Sequence, residues 1–464
     1  MSMLKKLLFH SWICTEGNVT ENAEIDEWIQ KLNETTNVEI HKIPLKQSDF
    51  WYYDEADGCI RNKNGSFFVI KGIQRKGKDQ ILSEQPVILQ NEIGYLGILC
   101  KEIDGVLNFL MQAKIEPGNL NQIQLSPTIQ ATKSNFTQKH GGKKPKYLDY
   151  FINAYHHTIV VDQIQSEQSS RFYKKRNRNI ILMVDEDVPL EKNFKWMTLG
   201  QIKRLMRKDN IVNMDTRTVL SCIPYYNHEL SEEELLEMER QVNDKALFRS
   251  VFKANDQTII PRIFQSINNI KMFEDVSDEI VPLSALSSWH EVNNEIVCRR
   301  EHDFKVIFCD IMIEGREVTQ WTQPLFEATG IALFGLFTCV DQGIRKFLVK
   351  VKKEIGCFDL VELGPSVQLE PSLMNVEHDE VTALLVTKLK QQDRVLHDVL
   401  LSEEGGRFYH EQNRNVIIEI NKNELAAKEE NGCFWVDYKT LNTLIQVNNV
   451  LNIQLRNLLS LLEA

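Results

Sequence analysis

The stretch Phe109–Gln130, FLMQAKIEPGNLNQIQLSPTIQ, returns at Phe347–Gln368 as FLVKVKKEIGCFDLVELGPSVQ. The spacing of 238 residues holds without a gap from Trp51–Gln130 to Trp289–Gln368. Working outward, Gln85-Pro86 through Gly97 recurs as Gln323-Pro324 through Gly335. Further on, SEQSSRFYKKRNRNI (Ser166–Ile180) recurs as SEEGGRFYHEQNRNV (Ser402–Val416). A repeat has to be recognised before any fold is assigned. Each copy is long enough to hold its own core, so this is a two-fold duplication rather than a solenoid.

Composition sets outer limits. The chain has 464 residues, 42% hydrophobic and 26% charged, as ordinary globular proteins do. Its net charge of −11 argues against broad nucleic-acid binding, because phosphate contacts need a basic excess. The nine cysteines form no Cys-x-x-Cys pair, which fits reduced thiols better than a disulfide framework or a zinc site. The start, MSMLKKLLFHSW, has an apolar run too short for a secretory leader, and no stretch of ~18 apolar residues suggests a membrane span. These features predict a cytoplasmic protein that meets neither membrane nor nucleic acid.

Strand-like runs at Phe67–Ile70, Val87–Leu89, Tyr95–Cys100 and Ile180–Val184 mix with few helical patterns, which predicts an α+β fold. A helix is expected after Thr198, with Leu199, Ile202, Leu205 and Met206 on one face, and a counterpart near Asp437. Ser231 through Glu234 reads as a capping box opening an amphipathic run to about Phe252. The expected organisation is a lead-in (1–50), a first repeat (51–225, the active copy), a helical connector (226–284) and a second, degenerate repeat (285–464).

Two segments concentrate polar chemistry. Alternation in an extended chain places Gln112, Lys114 and Glu116 on one side, and likewise Gln124, Ser126, Thr128, Gln130, Thr132 and Ser134. Such a face suits a sugar, or it is a solvated sheet edge. The second segment, Arg171–Asn179, holds five cations within eight residues, and Arg176 there could clamp a diphosphate. The alternative is an edge whose arginine stems pack on neighbours. Trp51 and Trp289 offer indole faces for stacking, or anchor each half. No Gly-x-Gly-x-x-Gly or Gly-x-Ser-x-Gly is present, and His140, His156 and His157 are poorly spaced for a metal.

The copies differ. Ser126, Asn135, Asn119 and Gln165 become Gly364, Leu373, Cys357 and Leu401, while Lys175 and Arg176 become Glu411 and Gln412. Lys114, Glu116 and Glu167 persist as Lys352, Glu354 and Glu403. One working site centred on the first copy is therefore expected.

On LMQAKIEPGN, IQLSPTIQATKSNFT, QSEQSSRFYKKRNRN and the QP…G…LG segment, the whole chain resembles the NDP-hexose 2,3-dehydratases of deoxysugar biosynthesis. The resemblance implies a homodimer, each subunit holding two tandem Nudix-like repeats. It lacks the Gly-x5-Glu-x7-Arg-Glu-x2-Glu-Glu box of Nudix hydrolases, so metal-dependent diphosphate hydrolysis is not expected and no metal is assigned. The implied substrate is a dTDP-4-keto-6-deoxyhexose, and the implied product a dTDP-3,4-diketo-2,6-dideoxyhexose passed to a 3-ketoreductase or aminotransferase. The C4 ketone acidifies the C3 hydrogen; a base removes it, and the enolate expels the C2 hydroxyl. No redox cofactor enters, because the elimination balances internally. Glu116 and Glu167 are then candidates for proton transfer, and Lys114 for enolate stabilisation or leaving-group protonation. Carry-over of the family's binding positions points to Trp51, Lys133, Ser134, Asn135, Phe136, Thr137 and Ser166 in the first copy. In the second it points to Trp289, Arg345, Val361, Glu362, Leu363, Ser366 and Val367. A non-catalytic nucleotide-sugar-binding protein on the same scaffold stays open as the alternative.

Overall fold

The computed structural model describes residues 2–132, 144–225, 230–316, 318–425 and 429–463. The chain is a mixed α/β protein of two repeated halves, and each half lends the other a strand. Strand β1 (Val38–Lys42) precedes Trp51 but pairs with the second half. The first half then runs β2 (Trp51–Asp54), β3 (Cys59–Asn62), β4 (Val69–Lys76) and β5 (Ile81–Leu89). After these come β6 (Gly94–Ile103), β7 (Val106–Ile115), β8 (Ile123–Ser126), β9 (Ile129–Ala131), β10 (Thr158–Ser166), β11 (Arg176–Met183) and β12 (Phe194–Thr198). The second half opens with β13 (Ser277–Val281), which returns the exchange by pairing antiparallel with β4. It continues with β14 (Trp289–Val292), β15 (Glu295–Cys298), β16 (Phe304–Ile313) and β17 (Gln320–Ala328). Then follow β18 (Leu333–Asp341), β19 (Ile344–Lys353), β20 (Val361–Gly364), β21 (Val367–Leu369), β22 (Val395–Ser402), β23 (Phe408–Tyr409), β24 (Gln412–Glu419) and β25 (Cys433–Asp437).

Each half builds a smaller and a larger sheet. The smaller ones order β13-β4-β3-β2 with β5 on β4, and β14-β15-β16-β17-β23 with β1 on β16. The larger ones order β10-β11-β6-β7-β12, with β8 on β7 and β9 on β6, and β22-β24-β18-β19-β20, with β21 on β18 and β25 on β19. Only β11–β6 and β18–β24 pair in parallel within these larger sheets. The helix Asn22–Thr35 leading into β1 is matched by Ile259–Phe273 leading into β13, so the repeated pattern reaches back ahead of both tryptophans.

Local chemistry explains the helices. Thr198 and Gln201 form a reciprocal capping box that starts Leu199–Met206, whose Leu199, Ile202, Leu205 and Met206 are buried. Asp437 caps Tyr438–Ile445 in the same place. Ser231 and Glu234 form the expected box, but the helix ends at Arg240 and a second, Lys245–Phe252, restarts where Asp244 accepts from the Leu247 amide.

The largest apolar cluster is shared: Phe9, Phe109, Leu125 and Leu220 pack in one body with Phe347, Leu363, Leu441 and Leu458. A second cluster joins the two smaller sheets, with Trp51 and Trp289 both inside it and Phe172 meeting Phe408 edge-on at 5.6 Å. Burial of such aromatics, roughly 1.5–3 kcal/mol each, belongs to the contact between halves as much as to either half. No helix among the described residues is long and apolar enough to cross a membrane.

Candidate active site

A cavity of about 490 Å³ opens beside β7 and β9 of the first half. Its walls are aromatic, including Phe50, Trp51, Phe68, Tyr95, Phe172 and Trp321; its floor is charged. This is the usual composition of a ligand site, apolar walls with a few convergent polar groups.

Three floor residues come from the end of β7, the turn just after it and β9. Strand alternation at the end of β7 turns Lys114 to the cavity between buried Ala113 and Ile115. Its ammonium donates to Glu116 Oε1 (3.1 Å) and Gln130 Oε1 (2.8 Å), and Gln130 Nε2 donates to Glu116 (3.0 Å). Glu167 lies across the cavity and accepts from Asn177 Nδ2 at 2.8 Å. The structure thus brings Lys114, Glu116 and Glu167 together.

The second half closes the site. Its turn 404–407 delivers Glu404 and Arg407, and the β16–β17 hairpin delivers Arg316, which donates to the Ile115 carbonyl at 2.7 Å. Arg407 lies over the Phe68 ring at 4.4 Å and reaches Gln90 Oε1 at 3.3 Å. The reciprocal loop of the first half carries Arg171 into the second half, over Phe304 at 4.4 Å and 3.4 Å from Glu411.

Burial and charge set the protonation of the floor. Burial works to raise Glu116, but Lys114, Arg316 and Arg407 outweigh it and hold the carboxyl below its ordinary value. Glu167 is raised by burial, which Arg456, Lys175 and Asn177 only partly offset. Glu404 is pushed up to about 7 by burial and by Glu116, and Lys175 is pushed down to about 8 by burial against the pull of Glu167 and Glu92. Asp215 stands well above the usual carboxylate range, first through burial, then through Glu167, Glu404 and Glu116.

The other residues singled out from the sequence are dispersed. Trp51 is both core and cavity wall; Trp289 is core, its indole nitrogen donating to the Glu84 carbonyl at 3.1 Å. Gln112 lies on β7 but does not line the cavity. Gln124 and Ser126 are buried between the halves, bonded to Ser402 (3.0 Å) and Asn213 (2.9 Å). Arg345 is held by Asp244 and Glu419 at 2.8 and 2.7 Å. Val361, Leu363 and Val367 are apolar core, and the Ser366 hydroxyl accepts from the Phe337 amide. Ser166 donates to Glu362 at 2.8 Å, deep between the halves. Lys133, Ser134, Asn135, Phe136 and Thr137 lie outside the described residues. The cation run does not form one patch: Lys175 enters the cavity, Arg176 stacks on Phe358 at 3.8 Å, and Arg178 pairs with Asp162 at 2.6 Å. Strand alternation and a left-handed residue at Lys174 (φ 54°) send successive side chains apart.

Glu362 yields a stability prediction. Burial pushes it up to about 8 against Arg456 and Ser166, well above the 4.5 of an unfolded glutamate. Its stabilising contribution is full below the unfolded value and is lost as pH rises through about 8. Glu362→Gln should therefore flatten the fall in melting temperature between about pH 4.5 and 8, and leave substrate KM unchanged.

Sequence reasoning missed Asp215, Glu404, Lys175, Arg316, Arg407 and Trp321 as lining residues. Five of them were hidden because they come from the opposite half or from a helix far along the chain. Lys175 carried a visible signal, its change to Glu411 in the second copy.

A family model of NDP-hexose 2,3-dehydratases matches residues 22–223 and again 261–462. The chain belongs to the NDP-hexose 2,3-dehydratase family. Among its relatives is the dTDP-4-dehydro-6-deoxy-alpha-D-glucopyranose 2,3-dehydratase of Saccharopolyspora spinosa, 38% identical over 95% of this chain and 91% of the relative. Proteins of the same name from Amycolatopsis orientalis and Streptomyces violaceoruber are each 33% identical, over 97% and 95% of this chain and 92% and 97% of their own. The two family matches begin near the helices that precede β1 and β13, in step with the repeated pattern of this dehydratase-family chain.

Proposed function

We propose that the protein is a carbon–oxygen lyase that removes the C2 hydroxyl and the C3 hydrogen of a dTDP-4-keto-6-deoxyhexose. Near-full-length similarity to 2,3-dehydratases carries this reading. The cavity supplies chemistry that fits it. The Lys114 ammonium, fixed between Glu116 and Gln130, stabilises negative charge on the C4 oxygen as the enolate forms. Glu116, held ionised, keeps that ammonium in place. Glu167, made more basic by burial, takes the C3 proton. Trp51, Phe68 and Trp321 give the flat surfaces that a sugar ring or base packs on. The reaction is redox-neutral, so these groups suffice without a redox cofactor.

The resemblance further supports Nudix-like halves, a homodimer, a cytoplasmic setting and a downstream reductase or aminotransferase. Incubation with dTDP-4-keto-6-deoxyglucose and a 3-ketoreductase should give a 2,6-dideoxy sugar; complete retention of the C2 hydroxyl overturns the reading. Glu167→Gln should lower turnover by about 100-fold or more and abolish exchange of the C3 hydrogen with deuterated water.

A further inference from the structure

The helices Met214–Ser221 and Ile453–Ser460 are the same element in the two halves. Asn213 caps the first by accepting from the Thr216 amide, and Asn452 caps the second by accepting from the Leu455 amide. Arg217 and Arg456 follow at matching positions, both fully buried, and each donates to a carbonyl of the opposite half, Ser402 or Ser166. The scaffold is thus kept to the level of single hydrogen bonds. What changes is the second helical residue, Asp215 in the first half and Gln454 in the second. Both are buried, but Asp215 lines the cavity, and its Oδ2 has no hydrogen-bond partner among the described residues.

A carboxyl at a helix start is ordinarily ionised, because the exposed amides favour negative charge. Asp215 faces a different field. Glu167, Glu404 and Glu116 act on it with negative charge, Lys114 and Arg217 of its own helix oppose them, and the carboxyl is buried away from bulk water. An uncharged carboxyl aimed into a ligand cavity is a proton donor at rest.

We propose that Asp215 is the proton donor to the departing C2 hydroxyl. This rests on the reading of the cavity as the dehydratase site. The base takes the C3 proton, and the pair from that bond forms the C3=C4 enolate. As the C4 carbonyl re-forms, C2=C3 forms and the C2–O bond breaks. Its electron pair leaves with the oxygen, which takes the Asp215 proton and departs as water. The resulting enol loses its hydroxyl proton to the Asp215 carboxylate, and C2 receives the proton held by the base. Both groups end as they began. Gln454, an amide, cannot give up a proton in this way, which accounts for the different residue in the second half.

The test separates the two halves of the reaction. Asp215→Asn, incubated with dTDP-4-keto-6-deoxyglucose in deuterated water, should lose dehydration by about 100-fold or more while still exchanging the C3 hydrogen. With the 2-fluoro analogue, whose fluoride leaves without a proton, the variant should eliminate within about tenfold of the wild type. Asp215→Gln, which copies the residue the second half accommodates on this helix, should behave alike and guards against a folding artefact. Dehydration near the wild-type rate by either variant overturns the proposal, as does joint loss of exchange and fluoride elimination. A wild-type protein that neither exchanges nor dehydrates would instead overturn the dehydratase reading itself.

Discussion

Lys114→Met should lower kcat by about two to four orders of magnitude, whereas Lys352→Met should leave it within about tenfold of the wild type. The two lysines occupy the same position on β7 and β19, so any difference has to come from their surroundings. In the first half the Asn213 amide donates to Ser126, and Gln130 Oε1 is left for Lys114. In the second half Ser126 is replaced by Gly364, and Asn452 donates to Gln368 Oε1 instead, at 3.2 Å. The floor differs too. Lys175 becomes Glu411, which Arg171 neutralises at 3.4 Å, and Asp215 becomes Gln454. An ammonium aimed at an oxyanion contributes only where an acid and a base complete the elimination. Steady-state kinetics of both variants on dTDP-4-keto-6-deoxyglucose checks this, and equal losses would mean that the working cavity has been misplaced.

That comparison shows how much could be read in advance. The duplication, the helix start after Thr198, the capping box at Ser231 and the polar face of β7 are local patterns, and local patterns survive in sequence. Lys114 and Glu116 were legible because strand alternation alone turns them to one side. Ser126 and Gln124 share such a face, but β8 is covered by the other half, so their polarity serves a buried network. The exchange of β1 and β13 left no local mark. Nothing within Val38–Lys42 states that its partner lies at Cys309–Ile313. For the same reason Glu404 and Arg407 could not be assigned to the first site, although their loop was already recognised as repeated.

The crossed architecture leads to the second large effect. Gly118 follows Glu116 in the turn after β7, and its amide donates to the Gly405 carbonyl at 2.7 Å while its carbonyl accepts from the His410 amide at 2.9 Å. A Cβ at Gly118 would land inside the Phe408 carbonyl, so even alanine has to push two backbones apart. Backbone atoms cannot swing aside as a side chain does, so Gly118→Ala should cost about 3 kcal/mol or more, the upper end of overpacking. Gly105→Ala is the control. Its Cβ meets nothing within 4 Å, and only the left-handed φ of +79° is strained, at about 1–2 kcal/mol. Gly356 sits in the mirrored turn, against the carbonyls of Ser169 and Phe172. Gly356→Ala should therefore lower the melting temperature much as Gly118→Ala does. The activities should part in degree, because Gly118 seats against the turn that brings Glu404 and Arg407 to the cavity, whereas Gly356 meets the backbone carbonyls of Ser169 and Phe172, in the loop that carries Arg171 into the second half. Melting curves alongside kcat, taken where each variant is still folded, test this; a proportionate loss of activity in both would mean that the turns serve stability alone.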